Sequence, residues 1–85
     1  MVFKLQFSRT AQKVLDKLPS SAVRKIFTHL EELKRDPYRP RSLADIVPVA
    51  GSEKMYRLRV GKLRVEYEVN EEENIIKLHS AYFQR

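Results

Sequence analysis

Tyr56-Arg57-Leu58-Arg59-Val60-Gly61-Lys62-Leu63-Arg64-Val65-Glu66-Tyr67 is the stretch from which the fold can be read. Apolar and charged residues alternate on both sides of Gly61, and a period of two is the period of a β-strand. A two-residue turn at Gly61-Lys62 makes this a β-hairpin in which Val60 pairs with Leu63, Arg59 with Arg64, and Arg57 with Glu66. One face is then apolar and the other strongly basic. Like charges directly across two strands destabilise a sheet by roughly 0.2–1 kcal/mol. A face that keeps such a pair is expected to hold an anion.

The alternation continues beyond the hairpin. Strands are expected over Lys54–Val60 and Leu63–Asn70, with Glu71–Asn74 turning the chain into a last strand, Ile75 to about Phe83. A four-residue loop there pairs Val69 with Ile76, Tyr67 with Leu78 and Val65 with Ser80 on the covered side. It sets Glu68 against Lys77, Glu66 against His79 and Arg64 against Ala81 on the other. That open face collects Arg57, Arg59, Arg64, Glu66, His79 and, if the strand runs on, Arg85. A slip of one residue scatters the set, so the grouping depends on register.

Upstream, Val2 to Phe7 alternates as a short strand. Ser8 offers an N-cap to a helix carrying Ala11, Val14, Leu15 and Leu18 at 3.6-residue spacing, and Pro19 stops it. Ser20 or Ser21 is expected to cap a second helix with the stripe Val23, Ile26, Phe27, Leu30 and Leu33, ended by Asp36-Pro37. His29 falls off that stripe and is expected in solvent. Residues Pro37 to Ser52 are rich in proline and read as a loop pinned by Leu43, Ile46 and Val47. The order β-α-α-β-β-β implies an α+β domain spanning residues 1–85, two N-terminal helices packed on one face of a small antiparallel sheet, with the first strand at an edge.

The 85 residues carry 17 lysines and arginines against 11 acids, a net charge of +6. Nucleic acid, an anionic membrane surface or an acidic protein are the partner classes this balance suggests. The absence of cysteine excludes disulfides and thiolate chemistry, and a cytoplasmic location fits. No apolar run reaches the length of a membrane span, and the opening residues are too short and too regular for a signal peptide. Nine of the 17 basic residues cluster in two groups: Lys34, Arg35, Arg39 and Arg41 near the loop, and Lys54, Arg57, Arg59, Lys62 and Arg64 in the hairpin. Two histidines far apart give no metal-ligand spacing, and two glycines are too few for a phosphate-cradling loop.

The chemistry that fits an arginine-rich face without a cofactor is cleavage of RNA at an internal phosphodiester. The substrate's own 2′-hydroxyl attacks the adjacent phosphorus, so the protein needs only to orient the strand, neutralise phosphoryl charge and move two protons. Arginine suits the second task, because its planar fork matches phosphate oxygens and stays charged. Glu66, His79 and Tyr82 are the candidates for proton transfer. By parity Tyr82 faces the helices with Tyr56 and Tyr67, whereas Phe83 falls on the open face, where it could stack on a base. Lys54, Lys62, Arg39 and Arg41 are expected to add contacts to the RNA backbone.

Phe3-x-Leu5-x-Phe7-Ser8, the helical hairpin ending in Asp36-Pro37, and the run Tyr56 to Val69 together resemble the RelE/ParE toxin superfamily over essentially the whole chain. The resemblance implies two helices on an antiparallel sheet. It further implies a type II toxin: a ribosome-dependent endoribonuclease that cuts mRNA in the A site without a cofactor and is neutralised by a RelB-type antitoxin, with a toxin–antitoxin heterotetramer among the assemblies it allows. Arg57, Arg59 and Arg64 occupy the family's basic positions, and Arg85 resembles the arginine of its terminal motif. The tyrosine that commonly follows that arginine has no counterpart here. ParE-type relatives share the fold but poison DNA gyrase, and a degenerate toxin that only binds its antitoxin is a third alternative.

Overall fold

The computed structural model describes residues 2–39 and 44–84. Strand β1 (Lys4–Phe7) leads into helices α1 (Arg9–Asp16) and α2 (Ser20–Arg35), followed by strands β2 (Asp45–Pro48), β3 (Met55–Val60), β4 (Leu63–Asn70) and β5 (Ile75–Phe83). The five strands form one sheet in the order β1-β5-β4-β3-β2. Its covered face buries Ile46, Leu58, Val65, Tyr67, Val69, Ile76 and Leu78 in one core with Ala11, Leu15, Ile26, Leu30 and Leu33 of the helices.

Local chemistry explains each boundary. Ser8 caps α1, its hydroxyl accepting from Ala11 N at 3.1 Å and donating to His79 O at 2.6 Å. Pro19, rather than Ser20 or Ser21, occupies the cap position of α2, and no side chain bonds its first turn. Proline suits that place because it lacks the N–H that a helix start would leave unpaired. Asp36 ends α2 in an extended conformation, as Pro37 after it requires. The β3–β4 turn places Gly61 at φ 59° and leaves Lys62 outside the left-handed region, the pattern of a II′ turn.

The hairpin register is the one the alternation implies, with Val60 opposite Leu63, Arg59 opposite Arg64 and Arg57 opposite Glu66. Four expectations are corrected. The sheet is mixed rather than antiparallel throughout, because the edge strand β1 runs parallel to β5. Two helices connect β1 to the rest, and no tight turn fixes its direction. Second, the presumed loop contains β2, which pairs antiparallel with β3 through Asp45 opposite Arg59 and Ile46 opposite Leu58. Leu43 lies outside the described residues; Ile46 is buried and Val47 half-buried. Third, the His29 side chain is only 13% exposed and bonds Glu32 at 3.0 Å instead of facing solvent. Val23 is half-buried, while Phe27 is exposed at the rim of its helix, its ring 6.0 Å from that of Phe7.

The fourth correction decides the site. A bulge between Glu66 and Tyr67 lets β5 spend an extra residue, His79, so Glu66 pairs with Ser80, Val65 with Ala81 and Arg64 with Tyr82. The expected Val65–Ser80, Glu66–His79 and Arg64–Ala81 pairs are therefore not formed. Strict alternation would have buried the Ser80 hydroxyl and exposed Ala81, and the bulge reverses both. Ser8 satisfies the bulge carbonyl through its hydroxyl. Tyr82 is thereby turned to the open face and Phe83 to the other, the reverse of the simple parity.

Ser8→Ala removes a helix cap and the bulge's hydrogen bond together, and should lower unfolding free energy by about 1–2 kcal/mol in urea titrations, with Ser8→Thr recovering most of it. Tyr67→Phe deletes the buried hydroxyl that donates to Pro37 O at 2.6 Å. It should cost about 1–2 kcal/mol, measured the same way, because the carbonyl is left without its donor.

Candidate nucleic-acid interface

The open face is built by register. Side chains alternate, so Arg57 and Arg59 of β3 and Arg64 and Glu66 of β4 leave the sheet on the side away from the helices. Asp45 of β2 and Ser80 and Tyr82 of β5 join them, each paired with one of these residues.

The ion pairs on this face separate charges that the register brings together. Arg57 donates through Nε and Nη2 to Glu66 Oε2, at 3.1 Å and 2.7 Å. That bond, with the nearby Tyr82 phenol, holds the Arg57 guanidinium above its ordinary pKa. It stays a cation throughout the working pH range, and any pH dependence of the face arises in other groups. Arg59 turns outward to the edge strand, its Nη2 2.7 Å from Asp45 Oδ2. Arg64 turns the other way: Nε donates to Gln84 Oε1 at 2.9 Å, and Nη1 to Gly61 O at 2.7 Å and Leu63 O at 3.2 Å. The two arginines that face each other are thus drawn to opposite sides, which relieves their repulsion.

His79 does not pair with Glu66. The bulge sets its Nε2 2.9 Å from Glu68 Oε1, while Glu66 Oε1 has a long contact with Ser80 Oγ at 3.4 Å. Tyr82 is 40% exposed, opposite Arg64 and close to Arg57. Tyr82, Asp45 and Gln84 are the residues that strand parity overlooked. The serine in Leu78-His79-Ser80-Ala81, out of place on a buried face, is the sequence signal that could have revealed the bulge.

Among the other expected contacts, Lys62 sits exposed in the β3–β4 turn beside the arginines. Lys54 does not reach them. It lines a cleft of about 530 Å³ with Glu53, Tyr38, Tyr56 and Glu71, toward the sheet end opposite the Gly61 turn. Tyr38 packs edge-on against Tyr56 at 5.2 Å there. Partial burial and a bond to Glu71 push its phenol pKa upward, so it remains a neutral donor. Arg39 follows Tyr38, and its backbone N–H donates to Asp36 Oδ1 at 3.2 Å after the end of α2. Arg41 and Arg85 lie outside the described residues. No group of histidines and acids that could hold a metal ion occurs among the described residues, and no helix there is long and apolar enough to cross a membrane.

Comparison with known proteins places this geometry. Residues 5–79 match the family described as ParE toxin of type II toxin-antitoxin system, parDE. A candidate toxin of Methanocaldococcus jannaschii, RelE1, is 37% identical over 76 residues, 89% of this chain and 83% of that protein. The archaeal RelE–RelB complex from Pyrococcus horikoshii contains a chain that superposes with a TM-score of 0.83 at 27% identity, over 98% of this chain and 96% of that one. The isolated RelE toxin of E. coli shares the fold, with a TM-score of 0.82 at 20% identity over 98% of this chain and 85% of its own. With two helices on a five-stranded sheet and a match spanning most of its length, the chain belongs to the RelE/ParE toxin superfamily and is a toxin of the type II toxin–antitoxin class.

Proposed function

We propose that this toxin cuts mRNA in the ribosomal A site by its arginine face and is neutralised by a RelB-type antitoxin. The observation that carries the reading is the convergence of Arg57, Arg59 and Arg64 on one uncovered sheet face, with a phenol and two carboxylates among them. The solved RelE–RelB pair from P. horikoshii supports an antitoxin as the partner.

In this reaction the 2′-oxygen of the message attacks its own 3′-phosphorus and the 5′-oxygen leaves. One proton is lost by the nucleophile and one gained by the leaving oxygen. The arginines stabilise the negative charge that grows on the phosphoryl oxygens, and they do so as fixed cations rather than as bases. Glu66 and His79 remain candidates for proton transfer, and Tyr82 joins them through its position beside Arg57. In the free protein Glu66 and Asp45 occupy Arg57 and Arg59. A phosphate competes with these carboxylates, partly exposed at Glu66 and more so at Asp45, for the same forks. Ion pairs open to solvent are worth only about 0–1 kcal/mol, so the exchange at Arg59 is inexpensive. Lys62 extends the positive edge.

A second reading, a gyrase poison without nuclease activity, is favoured by the ParE description of the matching family. Incubation with programmed ribosomes separates the two. The nuclease reading predicts cuts in A-site codons that fall roughly 10²–10³-fold in Arg64→Ala, the loss typical of one transition-state donor, with the unfolding midpoint unchanged. Intact message together with gyrase-dependent DNA breaks would favour the second reading, and neither effect would leave an antitoxin binder. Asp45→Asn frees Arg59 and should strengthen binding of an uncleavable single-stranded RNA, steepening the log K against log salt slope by about 0.7.

A further inference from the structure

The three arginines of the open face are not equally compensated. Arg57 and Arg59 each end on a carboxylate, Glu66 and Asp45, at 2.7 Å in both cases. Arg64 is bonded by neutral oxygens: the Gln84 side-chain amide and the carbonyls of Gly61 and Leu63. A neutral acceptor orients a guanidinium and cancels none of its charge. Among the described residues, Arg64 is therefore the arginine of this trio that is fixed in place by neutral acceptors, with no carboxylate offsetting its charge.

Gln84 can fix it because its own backbone is fixed. Its N–H donates to Lys62 O at 2.8 Å, docking the residue after β5 onto the β3–β4 turn. Turn and strand end then grip the guanidinium from two directions, through Nη1 and Nε. The Nη2 donors are the part of the fork these bonds leave over. We propose that Gln84 is a positioning residue: it aims Arg64 at a backbone phosphate without neutralising it. This rests on the RNA reading given above. A carboxylate at the same place would make the same hydrogen bond to Nε and offset the positive charge, so the amide is the feature that matters.

The test compares Gln84→Glu with Gln84→Ala, using a fully 2′-O-methylated single-stranded RNA oligomer as an uncleavable probe and titrating salt. Gln84→Glu should weaken binding about tenfold at low salt and flatten the log K against log salt slope by about 0.7, the signature of one lost phosphate contact on a single strand. Gln84→Ala should leave that slope unchanged and affinity within about threefold, yet lower single-turnover cleavage of the unmodified message. Its Arg64 Nε–H signal in a ¹H–¹⁵N spectrum should shift and broaden as the bond is lost. Thr28→Glu, which adds the same charge on exposed α2, serves as the control and should leave the slope unchanged. A wild-type protein that binds the oligomer in a salt-dependent way while Gln84→Glu keeps the wild-type slope would overturn the role of Gln84 and leave the RNA reading standing. An oligomer that the wild-type protein does not bind at any salt concentration, together with intact A-site message on programmed ribosomes, would overturn the RNA reading itself.

Discussion

Arg59 and Arg64 stand directly across from each other on two neighbouring strands, and the arrangement of the open face follows from how that repulsion is relieved. Strand β2 supplies Asp45 on one flank, and Gln84 with the turn carbonyls receives Arg64 on the other. Asp45 and Gln84 lie outside the hairpin, whereas the Gly61 and Leu63 carbonyls belong to it. The hairpin alone thus holds Arg64 only by its own turn and offers Arg59 no carboxylate, and the neighbouring strands complete the spreading of the two guanidinium groups. The basic face is thus a property of the assembled sheet, even though each arginine lies in β3 or β4.

The covered side obeys a simpler rule. Leu58, Val65, Tyr67, Val69, Ile76 and Leu78 are buried because alternation gives them to one side and the helices close over it. Tyr67 joins core to loop, its ring stacked 5.9 Å from Tyr56 and its hydroxyl spent on Pro37 O. The bulge at His79 links the two sides. Ser8 holds its carbonyl while capping α1, so one hydroxyl fixes the start of a helix and the register of the last strand.

Much of this was legible in the residues, and the failures have physical causes. The bounds of β4 and β5 and the whole β3–β4 register follow from alternation and one glycine. Strand β2 was hidden because Asp45-Ile46-Val47-Pro48 is short and proline-flanked, with only Ile46 deeply buried; as an edge strand it takes its conformation from β3. The direction of β1 could not be read from periodicity, which is the same for parallel and antiparallel neighbours. In the candidate site, Arg57, Arg59, Arg64 and Glu66 fell on the face expected of them, because the turn fixes their register. Tyr82 and Phe83 did not, because the inserted residue reverses the parity of everything after it, and His79, still on the open side, bonds Glu68 instead of Glu66. Lys54 shares the sign of the cluster but lines the tyrosine cleft, since charge says nothing about position.

The superfamily includes relatives described as RelE and as ParE toxins, and the fold serves both. What the fold does not supply is the row of cations on its uncovered side, and the proposed RNA target rests on that row. The most direct measurement is backbone and arginine-side-chain NMR mapping of this protein with an uncleavable single-stranded RNA. Shifts confined to β3, β4 and the end of β5, with the Arg57, Arg59 and Arg64 side chains moving most, are the predicted outcome. Shifts centred on α1 and α2, with the three arginine signals unmoved, would contradict it.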